Sequence, residues 1–191
     1  MTETLRERKR RATRARIVAA AVERFDAAGF EATTVAQLAA AAEIGARTYF
    51  SYFATKEDVI LPDVDARLSV LLAALARRDP SQSPTAVLLD VLTRTDPLES
   101  VSPKLRDVRA RLISTVPSVR ARALQLQHDA QPAMVRALTD AYPDRLDAPT
   151  AAALVGAFVG GVGGLSQVLT GSPSDRVTLS AVMSRVLAND M

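Results

Sequence analysis

A chain of 191 residues can form one ordinary domain, or a small head joined to a larger body, and is too short for a large catalytic barrel. Apolar residues make up 48% of it, with Ala, Leu and Val prominent and no alternating β-branched or aromatic run, so an all-α fold is expected. With no cysteine and one histidine the chain can build neither a disulfide framework nor a thiolate or multi-histidine zinc site, and its net charge of +3 is modest.

The charge is unevenly placed. Residues 1–16 carry seven bases against two acids, an excess of five, which leaves the rest of the chain at −2. A flexible basic arm of this kind can neutralise phosphates or enter a minor groove, or be a solvated tail. No apolar core follows the basic run, so no secretory signal is read and a cytoplasmic location is expected.

From Thr13 the segment TRARIVAAAVERFDAAGF places Val18, Ala21, Val22, Phe25 and Ala28 on one helical stripe, which Gly29 ends. Thr34 then suits the N-cap of a second helix, with Val35, Leu38, Ala39 and Ala42 on its apolar face. The next segment, IGARTYFSYF, is too short to be helical alone and must lean on a core through Ile44, Tyr49 and Phe53. Thr55 and Asp58 approach a capping box that would open a longer fourth helix, bearing Val64, Leu68, Leu71, Leu72 and Leu75.

Ser83-Pro84 and Ser102-Pro103 each read as an N-cap followed by proline at the first helical position. The helices they open carry Val87, Leu88, Val91 and Leu92, then Leu105, Val108 and Leu112. A segment from about 118 to 142 follows, with a kink expected at Pro132. Two last helices are expected over roughly 149–170 and 173–188. The first has a ridge at Gly156, Gly160 and Gly164 and no charge between Asp147 and Asp175; the second carries Leu179, Val182, Met183, Val186 and Leu187.

The third segment carries the chemistry. If Tyr49 and Phe53 are buried, Ala46, Arg47 and Phe50 share the opposite face and point into a major groove. Arg47 can give two hydrogen bonds to O6 and N7 of guanine, and Phe50 can touch a thymine methyl. Thr48 and Tyr52 flank that face with hydroxyls suited to phosphates, although Tyr52 can equally pack.

Residues 13–60 resemble the N-terminal domain of the TetR family of bacterial regulators. The likeness rests on an apolar first helix ending in AAGF, on TTV, on the Ala-rich second helix, and on RTYFSYFATKED. It implies a three-helix helix-turn-helix head over residues 1–56, and a helical ligand-binding and dimerisation part over 57–191, about nine helices in all. It also implies phosphate contacts from Thr34 and Lys56, whose plainer readings are a helix cap and a surface base. Glu43 stands where the family commonly has glycine, Gly45 where serine is frequent, and Ala54 where proline is frequent. Gly45 therefore brings backbone but no hydroxyl to the DNA.

The family resemblance further implies a homodimer joined by the last two helices, a near-palindromic double-stranded operator, repression as the mode of action, and control by a small hydrophobic effector. Pro62, early in the fourth helix, is a candidate hinge for that control. The segment from ISTVPSVRARALQLQHDA to TDAYPD is similar to the subgroup containing the mycofactocin-system regulator, which implies acyl-CoA or related acyl compounds as effectors. Arg120 and Arg122 could draw an anionic ligand or be solvated helix charges. His128 has no clustered partner in sequence and reads as a surface or pocket-edge residue.

Two other classes compete. A small helical enzyme would need a phosphate loop, nucleophile elbow or metal spacing, and none is read, so the chain is expected not to be an enzyme and to need no cofactor or metal. A membrane-surface or structural helical protein would use the basic arm on lipid, or the uncharged glycine-bearing helix as a span. Five glycines, Thr150, Ser166 and Gln167 dilute that helix, and no membrane association is expected.

Overall fold

The computed structural model describes residues 4–61, 64–94, 102–168 and 181–185, and these divide between two compact units. Among the described residues the regular structure is helical: eight α-helices, one 3-10 turn and a helical segment at 181–185.

The first unit comprises Met1–Pro62 with Val101–Ala123. Its first helix, α1 (Leu5–Ala28), begins well before Thr13, so the basic segment is helical from Leu5 rather than a flexible arm. The cause is local. Thr4 accepts a hydrogen bond from the Glu7 amide (3.2 Å) while its own amide donates to the Glu7 carboxylate (2.8 Å), a reciprocal capping box ahead of good helix formers. The helix stops at Gly29, whose φ of 81° is open to glycine at no steric cost. Ile17, Ala21, Val22 and Phe25 form the buried stripe; Val18 is only half-buried and Ala28 is exposed, a displacement of the apolar face from the one expected.

Helix α2 (Val35–Ala41) buries Leu38 and Ala39, and α3 (Ala46–Phe50) buries Tyr49. The turn between them is closed by Ile44 N–H donating to Ala39 O (3.0 Å) and Glu43 N–H to Ala40 O (3.0 Å). Glu43 sits there at φ 52°, the left-handed region in which an L side chain is strained. Substituting Glu43→Gly is expected to raise stability by about 0.5–1 kcal/mol, since the strain relieved exceeds the glycine entropy cost. Denaturant unfolding measures this, and an unchanged or lower midpoint would show that the turn tolerates the side chain freely.

Thr55 and Asp58 do form their box: Thr55 N–H donates to Asp58 Oδ2 (3.0 Å) and Asp58 N–H to Thr55 Oγ1 (3.3 Å). It opens a 3-10 turn, Glu57–Val59, rather than the long helix expected, and α4 (Val64–Arg77) begins beyond Pro62. A proline in sequence supplies no backbone donor and disfavours helix at the residue before it, which separates turn from helix. The candidate hinge Pro62 itself lies outside the described residues.

Helix α6 (Pro103–Thr115) packs on α1, burying Leu105, Val108 and Leu112. Ser102 caps it through the Leu105 amide (3.2 Å). Lys104 pairs with Glu23 and Asp26, and Arg111 with Asp26 (2.9 Å), an exposed network over the packed faces. Hydrogen bonds from Arg111 and Lys104 hold the Asp26 carboxyl below its ordinary range. Its small stabilising effect is therefore present at neutral pH and is lost as pH falls through the carboxylate range. The first turns of α7 (Pro117–Ala141) complete the unit with Val119 buried.

The second unit comprises Asp63–Ser100 with Leu124–Met191. Here α4, α5 (Pro84–Arg94), the rest of α7 and α8 (Ala148–Val168) supply a core including Leu71, Leu75, Leu88, Leu138 and Phe158. Ser83 caps α5 through the Ala86 amide (3.1 Å), as its Ser-Pro pattern predicts. The α7 segment runs through Pro132 as one helix. Tyr142, at its end, donates its hydroxyl to Gln82 O (3.0 Å) beneath the Arg78 guanidinium, 4.8 Å from the ring centre.

In α8 the buried positions Ala151, Val155 and Phe158 recur at helical spacing, while Ala152, Ala157, Gly160 and Gly164 are exposed. A Cβ at Gly156, Gly160 or Gly164 would meet nothing within 4 Å, whereas one at Gly161 would collide with Met183 Sδ at 2.6 Å. The close approach of the 181–185 segment therefore occurs at Gly161, beside the ridge predicted for it. That segment is helical, with Met183 buried and Val182 half-buried; Leu179, Val186 and Leu187 lie outside the described residues. By length and composition Ala148–Leu165 could cross a membrane.

Candidate nucleic-acid interface

Five residues of α-helix cannot hold their shape in water, so α3 exists because its back is anchored. Tyr49 is fully buried, with its ring 5.6 Å from Phe53 and its hydroxyl donating to Thr55 O (3.3 Å). Burial, with the Asp58 and Glu57 carboxylates beyond it, pushes the phenol well above its ordinary range, so it stays a neutral donor at any working pH. With that side fixed, Ala46, Arg47, Thr48 and Phe50 are all exposed on the front. Phe50 is 54% exposed, which leaves an apolar ring open to contact on that face.

Gly45 is the N-cap of α3 and gives no side-chain cap, which leaves its amide end open to approach. Tyr52 is half-buried just past α3, with the Arg10 guanidinium 5.6 Å over its ring. Arg14 similarly covers Phe53 at 4.7 Å, so the first third of α1 is fixed against the end of α3. That contribution of α1 was not read from the sequence, although the spacing of Arg10 and Arg14 on one helical face was available.

At the start of α2 the Thr34 hydroxyl accepts from the Gln37 amide (3.2 Å) and contacts the Gln37 carboxamide, which in turn accepts from the Thr34 amide (2.8 Å). Thr34 is thus a helix cap in a full capping box, at an exposed position. Lys56 is half-buried and held: its Nζ donates to Phe30 O (2.9 Å) and Thr33 O (3.0 Å) and lies 4.1 Å from the Phe30 ring centre. The plain surface-base reading of Lys56 therefore does not hold. It staples the α1–α2 connection and places a positive charge close to the N-terminus of α2.

Arg122 differs from both alternatives read for it. Its Nε donates to Asp58 Oδ1 (2.7 Å), with 25% and 13% of the two side chains exposed. Arg109 donates to Ile60 O, so α6 and the start of α7 both grip the turn that follows the head. Arg120 and His128 are exposed, as their solvated readings imply. Removing Arg122 is expected to cost about 1–3 kcal/mol, because the largely buried Asp58 loses a charge-assisted bond. Denaturation of Arg122→Ala against wild type measures it; a change within error would make the pair ornamental.

A capped helix, a tight turn and a short helix with an aromatic back and an exposed Arg-bearing front define a helix-turn-helix DNA-binding head. Residues 17–61 match the family model described as bacterial regulatory proteins, tetR family. The match covers the head alone, and it is this head that is of the tetR type.

Among curated proteins it is similar to the HTH-type transcriptional regulator TcmR of Streptomyces glaucescens, 45% identical over 80 residues. That alignment covers 42% of this chain and about a third (35%) of the relative's length. Two solved structures share the fold over nearly the whole chain. One is a chain from Syntrophomonas wolfei assigned to the TetR family (TM-score 0.59, 12% identity, 95% of this chain and 98% of that one). The other is FadR of Thermus thermophilus, a TetR-family repressor in complex with lauroyl-CoA (TM-score 0.56, 22% identity, 93% and 94%).

Proposed function

We propose that the protein is a ligand-responsive transcriptional repressor that binds a near-palindromic operator as a homodimer in the cytoplasm. The observation carrying this reading is the two-sidedness of α3, with Tyr49 fully buried and Arg47, Thr48 and Phe50 turned to solvent. In this reading Arg47 reads guanine, Phe50 packs on a thymine methyl, and Ala46 allows close approach to the base edges. Gly45, Thr48 and Tyr52 contact phosphate through backbone or hydroxyl. Thr34 offers its hydroxyl only by sharing it with the cap, and the held ammonium of Lys56 keeps one N–H for phosphate beside the α2 amides. Residues 1–56 do the reading, and 57–191 sense the ligand and form the dimer.

Selection of duplexes from a random pool by the purified chain tests this directly. Enrichment of a two-fold-related sequence is expected, with half-sites about one helical turn apart. Recovery of random sequence would remove the regulator reading.

The dimer is assigned to the exposed face of α8. A single chain gains nothing from exposing Ala157, Gly160 and Gly164 on an apolar helix, whereas a second copy can approach such a face closely. Gly160→Leu has open space around it and improves helix propensity, so it is expected to leave each chain folded while weakening the dimer at least tenfold, about 1.4 kcal/mol. Sedimentation in detergent-free buffer distinguishes the outcomes, and an undisturbed dimer would move the interface elsewhere.

The effector is assigned to small hydrophobic acyl compounds, acyl-CoA thioesters included. The support is the likeness of the 113–144 segment to one TetR subgroup and the lauroyl-CoA held by the Thermus protein. Release of the selected duplex on adding such a thioester is the expected result.

A further inference from the structure

The apolar stripe of α1 does not end with the core; it changes chemistry. Counting back from Ile17, the same face continues through Thr13, Arg10, Lys9 and Arg6 at spacings of three and four residues. These four side chains, with Leu5 and Tyr52, line one open groove of about 560 Å³. A face that packs Ile17, Ala21 and Phe25 further along thus presents three cations toward its N-terminal end.

The groove is joined to the reading helix. Tyr52, in its wall, lies two residues beyond the end of α3, and the Arg10 guanidinium rests 5.6 Å over its ring. Glu7 is the one acid among residues 4–16, and its carboxylate is occupied by the Thr4 amide and hydroxyl, each at 2.8 Å. Hydrogen bonds from Thr4 hold the Glu7 carboxyl below its ordinary range, so it stays committed to the cap. Because the segment is helical from Leu5, the cations are carried on a fixed frame rather than on a loose tail.

We infer that this groove is a second DNA contact, which binds the phosphates of duplex flanking the bases read by α3. This rests on the proposed DNA-reading role of α3 and extends its footprint outward. Arg6 to Thr13 span about 10 Å of helix axis, roughly three base steps along one strand. Arg6, Lys9 and Arg10 supply charge, and the hydroxyls of Thr13 and Tyr52 supply hydrogen bonds. The contact adds affinity without sequence preference and makes binding depend on how far the duplex continues beyond the operator.

The test uses the full chain and a duplex it has itself selected, in two lengths: ending at the selected bases, or extended by half a helical turn on each side. Arg6→Ala, Lys9→Ala and Arg10→Ala are combined in one variant. A control variant combines Arg8→Ala, Arg16→Ala and Arg24→Ala, removing equal charge from α1 outside the groove. Far-UV circular dichroism verifies that both remain helical. On the extended duplex, the slope of log affinity against log salt is expected to fall by about 2–3 in the groove variant, from about 0.9 per lost phosphate contact, and by less in the control. On the short duplex the groove variant is expected to approach wild type. A wild-type slope in the groove variant, or an equal fall in the control, overturns the groove while leaving the α3 reading intact. Failure of the wild-type chain to select any duplex overturns both. Wild-type DNA binding together with lost retention on phosphatidylserine vesicles overturns the inference by assigning the groove to lipid.

Discussion

Arg47→Ala is expected to flatten base preference at one position of each half-site by about 1–3 kcal/mol, leaving the overall fold and the affinity for random duplex close to wild type. Arg47 is exposed on the front of α3 and has no share in the core, so its truncation leaves the scaffold untouched. Lys56→Ala should behave in the opposite way. Its Nζ holds Phe30 O and Thr33 O, so every duplex is expected to be weakened together and the head to lose stability. Competition between the selected operator and single-base variants separates the two patterns. Undiminished selectivity in the arginine variant would take Arg47 out of the reading role.

Tyr49→Ala should have the largest effect on stability, about 3–5 kcal/mol, from the lost aromatic and the cavity left behind. The side chain is fully buried and is the main attachment of a helix of only five residues. All retention of DNA is then expected to vanish irrespective of sequence, with a loss of helical signal and a lower denaturation midpoint. Tyr49→Phe keeps the ring and gives up only the hydroxyl bond to Thr55 O, a cost of about 0.5–1.5 kcal/mol. If Tyr49→Ala unfolded no more easily than Tyr49→Phe, the anchoring account of α3 would fail.

What could be read in advance was what depends on near neighbours. Periodicity exposes the buried Leu38, Ala39, Tyr49 and Phe53, and Thr34, Ser83 and Ser102 announce helix starts by their own chemistry. The early start of α1 was also legible: Thr4 and Glu7 form the same kind of box, but they sit in a basic run whose charge suggested a tail. Residues far apart in sequence left no such trace. Lys56 reaches carbonyls 26 and 23 residues away, and Arg122 reaches Asp58 across 64. Nor does any local pattern in Pro103–Thr115 reveal that its apolar face belongs on α1. The exposed front of α3 was foreseeable once its back was assigned, whereas the basic groove required knowing that α1 is helical at Arg6.

Helices α1 and α2 and the turn at Glu57–Val59 each begin with a Thr-centred reciprocal cap, and α3 begins at a glycine that caps nothing. Helix α3, with five residues and no side-chain cap, therefore takes its shape from the surface its neighbours provide. Its outward residues are correspondingly excused from folding, and changes among Ala46, Arg47 and Phe50 should alter stability by no more than about 0.5 kcal/mol each. A lineage carrying this head could thus rewrite its genomic address by point substitution while the architecture that displays it stays untouched.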